Sequence, residues 1–214
     1  MEKMIEIKNV SLEIKKVKIL DSISITINQG TIVGLIGRNG CGKTVLMKCI
    51  CGFMHPTEGE VLVKGKKIGT DCDFPANTGI IIETPEFIPY YNGYQNLKRL
   101  ADLKHKIGKE RVIQTMKQVG LDPALKRPVK KYSLGMRQRL GLAQAIMEDP
   151  DILILDEPMN GLDREGVADM RQYLLDLKKQ GKTVVLASHS REDIAILCDV
   201  TYQLDHGRLC DTEE

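Results

Sequence analysis

No run of apolar residues in this 214-residue chain approaches the ~18 needed to cross a bilayer as a helix, and the opening Met1-Glu2-Lys3-Met4 is not a signal peptide. A soluble, cytosolic protein is expected. Excess charge is also lacking: 31 basic residues against 29 acidic ones leave a net charge of +2, so composition provides no broad field for nucleic acid. The six cysteines (Cys41, Cys49, Cys51, Cys72, Cys198, Cys210) form no C-x-x-C pair and lie near no second His/Cys cluster spaced for zinc. That excludes a zinc finger or ribbon and predicts free thiols in a reducing compartment. Internal repeats and low-complexity linkers are absent too.

What is present fits one domain with a sizeable interior, 42% hydrophobic and 28% charged. Its most informative stretch is Gly37-Arg38-Asn39-Gly40-Cys41-Gly42-Lys43-Thr44, a G-x-x-x-x-G-K-T pattern. Upstream, Thr31 to Ile36 reads as a buried strand; downstream, Val45 to Ile50 reads as the start of a helix. In that context glycines let the backbone curl around an anion with its N–H groups inward, and the helix adds its positive end. Lys43 would reach the terminal phosphates, and Thr44 would offer a hydroxyl to Mg2+.

Ile5-Glu6-Ile7-Lys8 and Ser22 to Ile27 alternate with period two, as half-buried antiparallel strands do. Glu60 to Ile68 reads as a hairpin, and Gly79 to Ile82 as a buried strand ending at Glu83. From about Tyr94 to Met147 apolar residues recur at three- and four-residue steps (Leu97, Leu100, Ala101, Leu103, then Val112, Met116, Val119), an inserted helical lobe. Buried strands return at Ile152 to Leu155 and Val184 to Ala187, with a helix around Val167 to Lys179 between them. Strands alternating with helices imply a parallel sheet.

Ile152-Leu153-Ile154-Leu155 ends in two carboxylates, Asp156 and Glu157. Ligands gather at the carboxyl ends of parallel strands, so this pair should emerge beside the phosphate loop. Asp156 would hold magnesium and Glu157 would polarise the water that attacks the γ-phosphate. Val184 to Ser188 delivers His189 in the same manner, near that phosphate. His55, His105 and His206 read as solvated.

These motifs, with Asn160-Gly161-Leu162-Asp163 and Tyr132-Ser133-Leu134-Gly135-Met136-Arg137-Gln138-Arg139, resemble over essentially the whole chain the ATP-binding subunits of ABC transporters. Ser133 to Arg137 stands where that family carries its Leu-Ser-Gly-Gly-Gln signature. The resemblance implies an α/β fold: a P-loop NTPase core with a mostly parallel sheet (residues 1–88 and 149–214, including an N-terminal antiparallel β subdomain) and a helical signature lobe at about 89–148. It implies an ATPase using ATP and Mg2+. Nucleotide contacts are expected from residues 37–45 (Val45 included), Ile14, Ser133, Gly135 and Met136, and metal contacts from Thr44, Glu83 and Asp156. Glu157, His189 and Lys43 are the catalytic candidates. Ser133, Gly135 and Asp163 would face a second subunit, because in the family the signature contacts the ATP of the opposite chain. A homodimer, or a pair with a like ATPase, would then drive a transmembrane permease from the inner face of the cell membrane. No nucleic acid is expected.

Departures narrow the subgroup. Glu83 stands where the family usually has glutamine, and Ile82-Glu83-Thr84-Pro85-Glu86-Phe87 with Tyr94-Gln95-Asn96-Leu97 looks like subunits that export, or confer immunity to, bacitracin and lantibiotics. The signature keeps Ser133 and Gly135 but is otherwise altered. Ile14, with Val17 near, replaces the aromatic residue that usually stacks on adenine, which predicts loose base selectivity. Cys41, inside the loop, is expected to favour a thiolate and to be shielded from a maleimide by ATP. The run Tyr90-Tyr91-Asn92-Gly93-Tyr94 reads either as a docking groove for the permease or as a loop packed on its own lobe. A soluble relative acting on DNA or ribosomes is the alternative, but it lacks the long coiled-coil insertion or second copy such proteins usually need. A third reading, a nucleotide-binding regulator without catalysis, sits poorly with Glu157 and His189.

Overall fold

A computed structural model describes residues 2–210; the Asp211–Glu214 tail, read from sequence as frayed, lies outside the described residues, as does Met1. Alternation in the N-terminal segment produces a sheet with one wet face. The strands β1 (Lys3–Ile14) and β2 (Val17–Asn28) bury Ile5, Ile7, Ile23, Ile25 and Ile27, while Lys8, Ser24 and Thr26 face outward. They pair antiparallel from Lys3↔Asn28 to Ile14↔Val17. β4 (Glu58–Val63) lies on the other side of β1, and the two-residue β5 (Lys66–Lys67) completes its hairpin, giving the order β2-β1-β4-β5.

The second sheet has the order β10-β9-β3-β8-β7-β6, built from β3 (Ile32–Ile36), β6 (Thr78–Ile81), β7 (Ile152–Asp156), β8 (Thr183–Ala187), β9 (Val200–Asp205) and β10 (Arg208–Leu209). All of its pairings are parallel except the terminal β9–β10 hairpin. Both β7 and β8 are buried along their whole length, which is why each reads as a continuous apolar run. Successive residues divide between two cores. Ile152, Ile154, Val185 and Ala187 pack beneath the antiparallel sheet and α1 (Lys43–Ile50); Leu153, Leu155, Val184 and Leu186 pack against helices on the opposite face. At roughly 1.5–3 kcal/mol per fully buried aliphatic side chain, these two layers fix the sheet's place in the molecule.

The helices on that opposite face are α2 (Gly93–Lys104), α3 (Lys109–Gln118), α4 (Leu134–Ile146), α5 (Arg164–Lys179) and the short α6 (Arg191–Leu197). A capping box starts α2, with the Asn92 side chain accepting from the Gln95 amide and the Gln95 side chain accepting from the Asn92 amide. Leu97 and Ala101 of α2 are fully buried, but Leu103, read from its spacing as core, is 77% exposed. It falls at the edge of the buried stripe, where α2 ends beside an open groove. In α4, Ser133 is the N-cap, its hydroxyl accepting from the Met136 amide at 3.2 Å, so the helix begins inside the signature segment. The helix then crosses β6 so closely that a Cβ at Gly79 would lie 2.1 Å from the Ala145 carbonyl oxygen.

Register brings the functional strand ends together. Leu35 of β3 and Asp156 of β7 both stand opposite Ala187 of β8, and Ile81 of β6 stands opposite Leu155. The residues that follow Ile36, Ile81, Leu155 and Ala187 therefore leave the sheet along one edge.

Candidate nucleotide-binding site

At that edge Gly37 and Gly42 shape the loop between β3 and α1. Gly37 has φ 147°, and a Cβ there would sit 2.2 Å from the Leu204 carbonyl oxygen. Gly42 has φ 112°, with the Leu20 side chain 2.9 Å from where its Cβ would be. Any other residue would be strained at both positions. Gly42 is also the N-cap of α1 and brings no side-chain acceptor, so the first-turn amides and the positive end of the helix face the loop. Lys43 is 7% exposed and folds back over the curl, its Nζ donating to the Gly37 oxygen at 2.7 Å and the Arg38 oxygen at 3.1 Å. An ammonium held against two carbonyls marks the concave side as a place for negative charge.

Two side-chain pairs complete the edge. Thr44 Oγ1 donates to Asp156 Oδ2 at 2.6 Å, joining the first turn of α1 to the end of β7. Glu157, with φ 49°, turns sharply off the strand, so its carboxylate diverges from that of Asp156. Its Oε2 is 2.7 Å from His189 Nδ1, and its amide donates to the Ala187 oxygen at 3.0 Å. A carboxylate against an imidazole, both near the phosphate loop, can hold and orient a water and pass its proton along. His55, His105 and His206 are exposed.

Other candidates fall elsewhere. Glu83, also in the left-handed region at φ 61°, reaches along α1 to Lys48, one turn beyond Thr44, at 2.6 Å; among the described residues no hydrogen bond joins it to Thr44 or Asp156. Cys41 corrects an expectation. Its side chain is 5% exposed and turned into the core beneath the loop, within 3.8 Å of Lys43 Nζ, while its amide donates to the Arg38 oxygen at 3.2 Å. It is therefore not placed to react with a maleimide. Burial also pushes the Cys49 thiol up to about 11 and those of Cys51 and Cys198 up to about 12, so none of these three is a ready nucleophile.

Ser133 and Gly135 lie at the start of α4, and no hydrogen bond among the described residues joins them to residues 37–45. Gly135 has a second use: a Cβ there would be 2.7 Å from the Gly161 oxygen, so α4 packs directly on the loop after Glu157. Asp163 caps α5, accepting from the Gly166 amide at 2.9 Å. Sequence reading missed Gln138, a buried residue whose Nε2 donates to the Glu157 carbonyl oxygen at 3.4 Å and so links the helical lobe to the catalytic candidate. Its place in the segment Tyr132 to Arg139 was the only signal, since burial is not visible in sequence. Ile14 is 38% exposed at the end of β1, opposite Val17, itself 59% exposed. Their hairpin turns through Lys15 and Lys16, and β2 continues to Leu20 and Ile19 beside Gly42.

A groove of about 750 Å³ separates β6 and its following loop from α2 and α4. Phe53 and Phe74, half exposed and packed edge to face at 6.1 Å, line it together with Leu103. The tyrosine run does not. Tyr91 stacks under Arg99 at 5.5 Å, Tyr94 packs into the lobe core, and Tyr90 stays 73% exposed with Lys130 over its ring at 4.8 Å.

A model of the ABC transporter family matches residues 20–160, spanning the loop, the strand-end carboxylates and the start of α4. The chain belongs to this family. It is similar to the uncharacterized ABC transporter ATP-binding protein YybJ of Bacillus subtilis (strain 168), 44% identical over 211 residues that cover 99% of this chain and 97% of that protein. The bacitracin transport ATP-binding protein BcrA of Enterococcus faecalis is 38% identical over 211 residues, 98% of this chain and 68% of BcrA. In fold, the dimeric structure of MJ0796, a bacterial ABC transporter cassette, matches with a TM-score of 0.88 at 24% identity, covering 97% of each chain. This ABC chain is thus an ATP-binding, ATP-hydrolysing subunit of a transporter, a kind that works with a transmembrane permease. Among the described residues, no helix is long and apolar enough to cross a membrane.

Proposed function

We propose that two copies of this chain, or one copy and a like ATPase subunit, close head to tail around two ATP molecules, each phosphate loop covered by Ser133, Gly135 and Met136 of the opposite chain. The observation that carries this reading is the convergence at one sheet edge of the Thr44–Asp156 pair at 2.6 Å and the Glu157–His189 pair at 2.7 Å beside a loop bent around Lys43. Residues 37–45 hold the triphosphate through their amides, and Lys43 exchanges its carbonyl contacts for phosphate oxygens. Glu157 takes a proton from the attacking water; His189 fixes that carboxylate and contacts the γ-phosphate.

A hard cation suits the oxygen donors of Thr44 and Asp156, which together with phosphate oxygens and water resemble a magnesium site; no cluster of three or more His, Cys, Asp or Glu among the described residues is arranged to hold a metal by itself. Bound Mg2+ would supply charge neutralisation of the phosphates. Glu83 joins this shell only when it leaves Lys48. Asp163, at the head of α5, faces the second subunit.

The Phe53–Phe74–Leu103 groove is where we place the permease's cytoplasmic helix, since exposed apolar side chains around one cleft are costly without a partner. The chain would then sit on the inner face of the membrane. Likeness to BcrA, a bacitracin transport protein, supports a peptide antibiotic as cargo, and we take the direction to be export.

Glu157→Gln tests the catalytic core. It keeps the shape but removes the base, so ATP hydrolysis should fall by about 10²–10⁴-fold while ATP still binds, and size-exclusion chromatography with ATP should show dimers accumulating. Hydrolysis at the wild-type rate would remove Glu157 from the role assigned to it.

A further inference from the structure

The segment carrying His189 is anchored from behind by a chain of largely buried polar contacts that nucleotide binding does not explain. Ser188, the residue before His189, is 4% exposed; its hydroxyl donates to Asp193 Oδ2 at 3.2 Å and accepts from the Ser190 amide at 3.1 Å. Ser190 caps α6 by accepting from the Asp193 amide at 3.2 Å. Asp193 is 3% exposed, and its Oδ1 takes two hydrogen bonds from Arg171 of α5, from Nε at 2.8 Å and from a terminal nitrogen at 2.5 Å. Arg171 also reaches Glu192 at 3.1 Å. The Glu192 and Asp193 carboxylates hold the guanidinium pKa above its already high ordinary value, so the pair stays charged.

A buried ion pair is a poor source of stability, because desolvation offsets most of the attraction. A planar guanidinium fork on a carboxylate is, however, a precise geometric restraint. The same α5 is capped by Asp163, six residues beyond Glu157. It therefore grips the His189 segment from a helix that starts on the Glu157 side of the 2.7 Å pair.

We infer that Arg171 is a positioning residue for ATP hydrolysis, acting through Asp193 and Ser188 to hold His189 at Glu157. The inference rests on the proposed role of the Glu157–His189 pair. It separates ATP binding from turnover: Arg171 touches no residue of the phosphate loop, so it sets the rate of the step and not the affinity for nucleotide. Substitutions along the chain should act alike, because each breaks one link of the same restraint.

Steady-state ATPase kinetics and ATP affinity by calorimetry test this with Arg171→Ala, Arg171→Lys and Ser188→Ala, each also made in a His189→Ala background. Displacing a reacting group by a fraction of an ångström lowers kcat on the order of tenfold. Arg171→Ala and Ser188→Ala should show that loss with KM and Kd for ATP changed less than about twofold, and Arg171→Lys should recover part of it. In the His189→Ala background the same substitutions should add little, since the group they position is gone. An equal loss in both backgrounds, or an unchanged kcat in Ser188→Ala, overturns the inference. Ser188→Ala removes one hydroxyl and keeps the Arg171–Asp193 pair, so it answers the question even if Arg171→Ala does not fold. A His189→Ala chain with wild-type kcat would instead overturn the proposed role of the pair.

Discussion

Phosphate chemistry is the most local chemistry in the molecule, and Ile14 shows where local reading ends. Residues 37–44 are contiguous, so glycine geometry, Lys43 and Thr44 were all evident from sequence. The proposed base contact would be made by single exposed side chains on a hairpin, where Ile14 and Val17 offer aliphatic surface with no π face. Ile14→Tyr would add a ring able to stack on adenine, worth roughly 1 kcal/mol, or about fivefold in affinity. Calorimetry should show ATP binding tightened by about that factor and tripolyphosphate binding unchanged. An equal gain for tripolyphosphate, or none for ATP, would remove Ile14 from the base site. Glu157, His189 and Asp156 were legible as strand-end residues. The Arg171–Asp193 contact was not, because its partners are 22 positions apart and nothing in either local pattern distinguishes them from a solvated charge.

At the level of elements, hydrophobic period located the strands up to β8 and most helices but not β9, β10 or α6, and tertiary crowding set what it could not. The antiparallel pairing of β1 and β2 shifts register between Ile7 and Val10, where Asn9 takes φ 49° and its amide donates to the Ser24 hydroxyl. A side-chain acceptor substitutes there for a ladder bond, which alternation alone does not reveal. The crossing of α4 over β6 is likewise invisible in sequence, although it decides that residue 79 has no side chain. Gly79→Ala would place a Cβ 2.1 Å from the Ala145 oxygen, a backbone atom that cannot swing aside, and 3.0 Å from the side chain of buried Leu153. Overpacking of this kind costs about 1–3 kcal/mol. In a chain of this size that corresponds to a fall in Tm of roughly 2–12 °C, measurable by calorimetry. A melting temperature equal to wild type would mean the helix can slide on the sheet.

Across the whole molecule, the net charge of +2 conceals a division. Residues 89–148 carry 13 basic side chains against 4 acidic ones, a net +9, which leaves 18 against 25 in the rest. Composition read over the full length therefore missed a polar arrangement of charge that only the placement of α2 to α4 as one packed lobe makes meaningful. Lys126, Arg127, Lys130 and Lys131 are exposed, and none has a carboxylate within ion-pair distance among the described residues. The lobe also carries one wall of the Phe53–Leu103 groove, so a permease helix approaching that groove meets a positive field before it meets apolar surface. If the groove is the docking site, apolar contact should set how long the complex lasts and the lobe's charge how fast it forms. Association with membranes containing the permease, followed by surface plasmon resonance, should then slow by roughly tenfold or more between low salt and about 0.5 M salt, as screening shortens to a few ångströms. Dissociation should change far less. Lys126→Glu with Arg127→Glu should reproduce the slower association at low salt while ATP affinity stays the same, since neither residue lies near the phosphate loop. An association rate indifferent to salt and to this charge reversal would mean that the lobe's field has no part in docking.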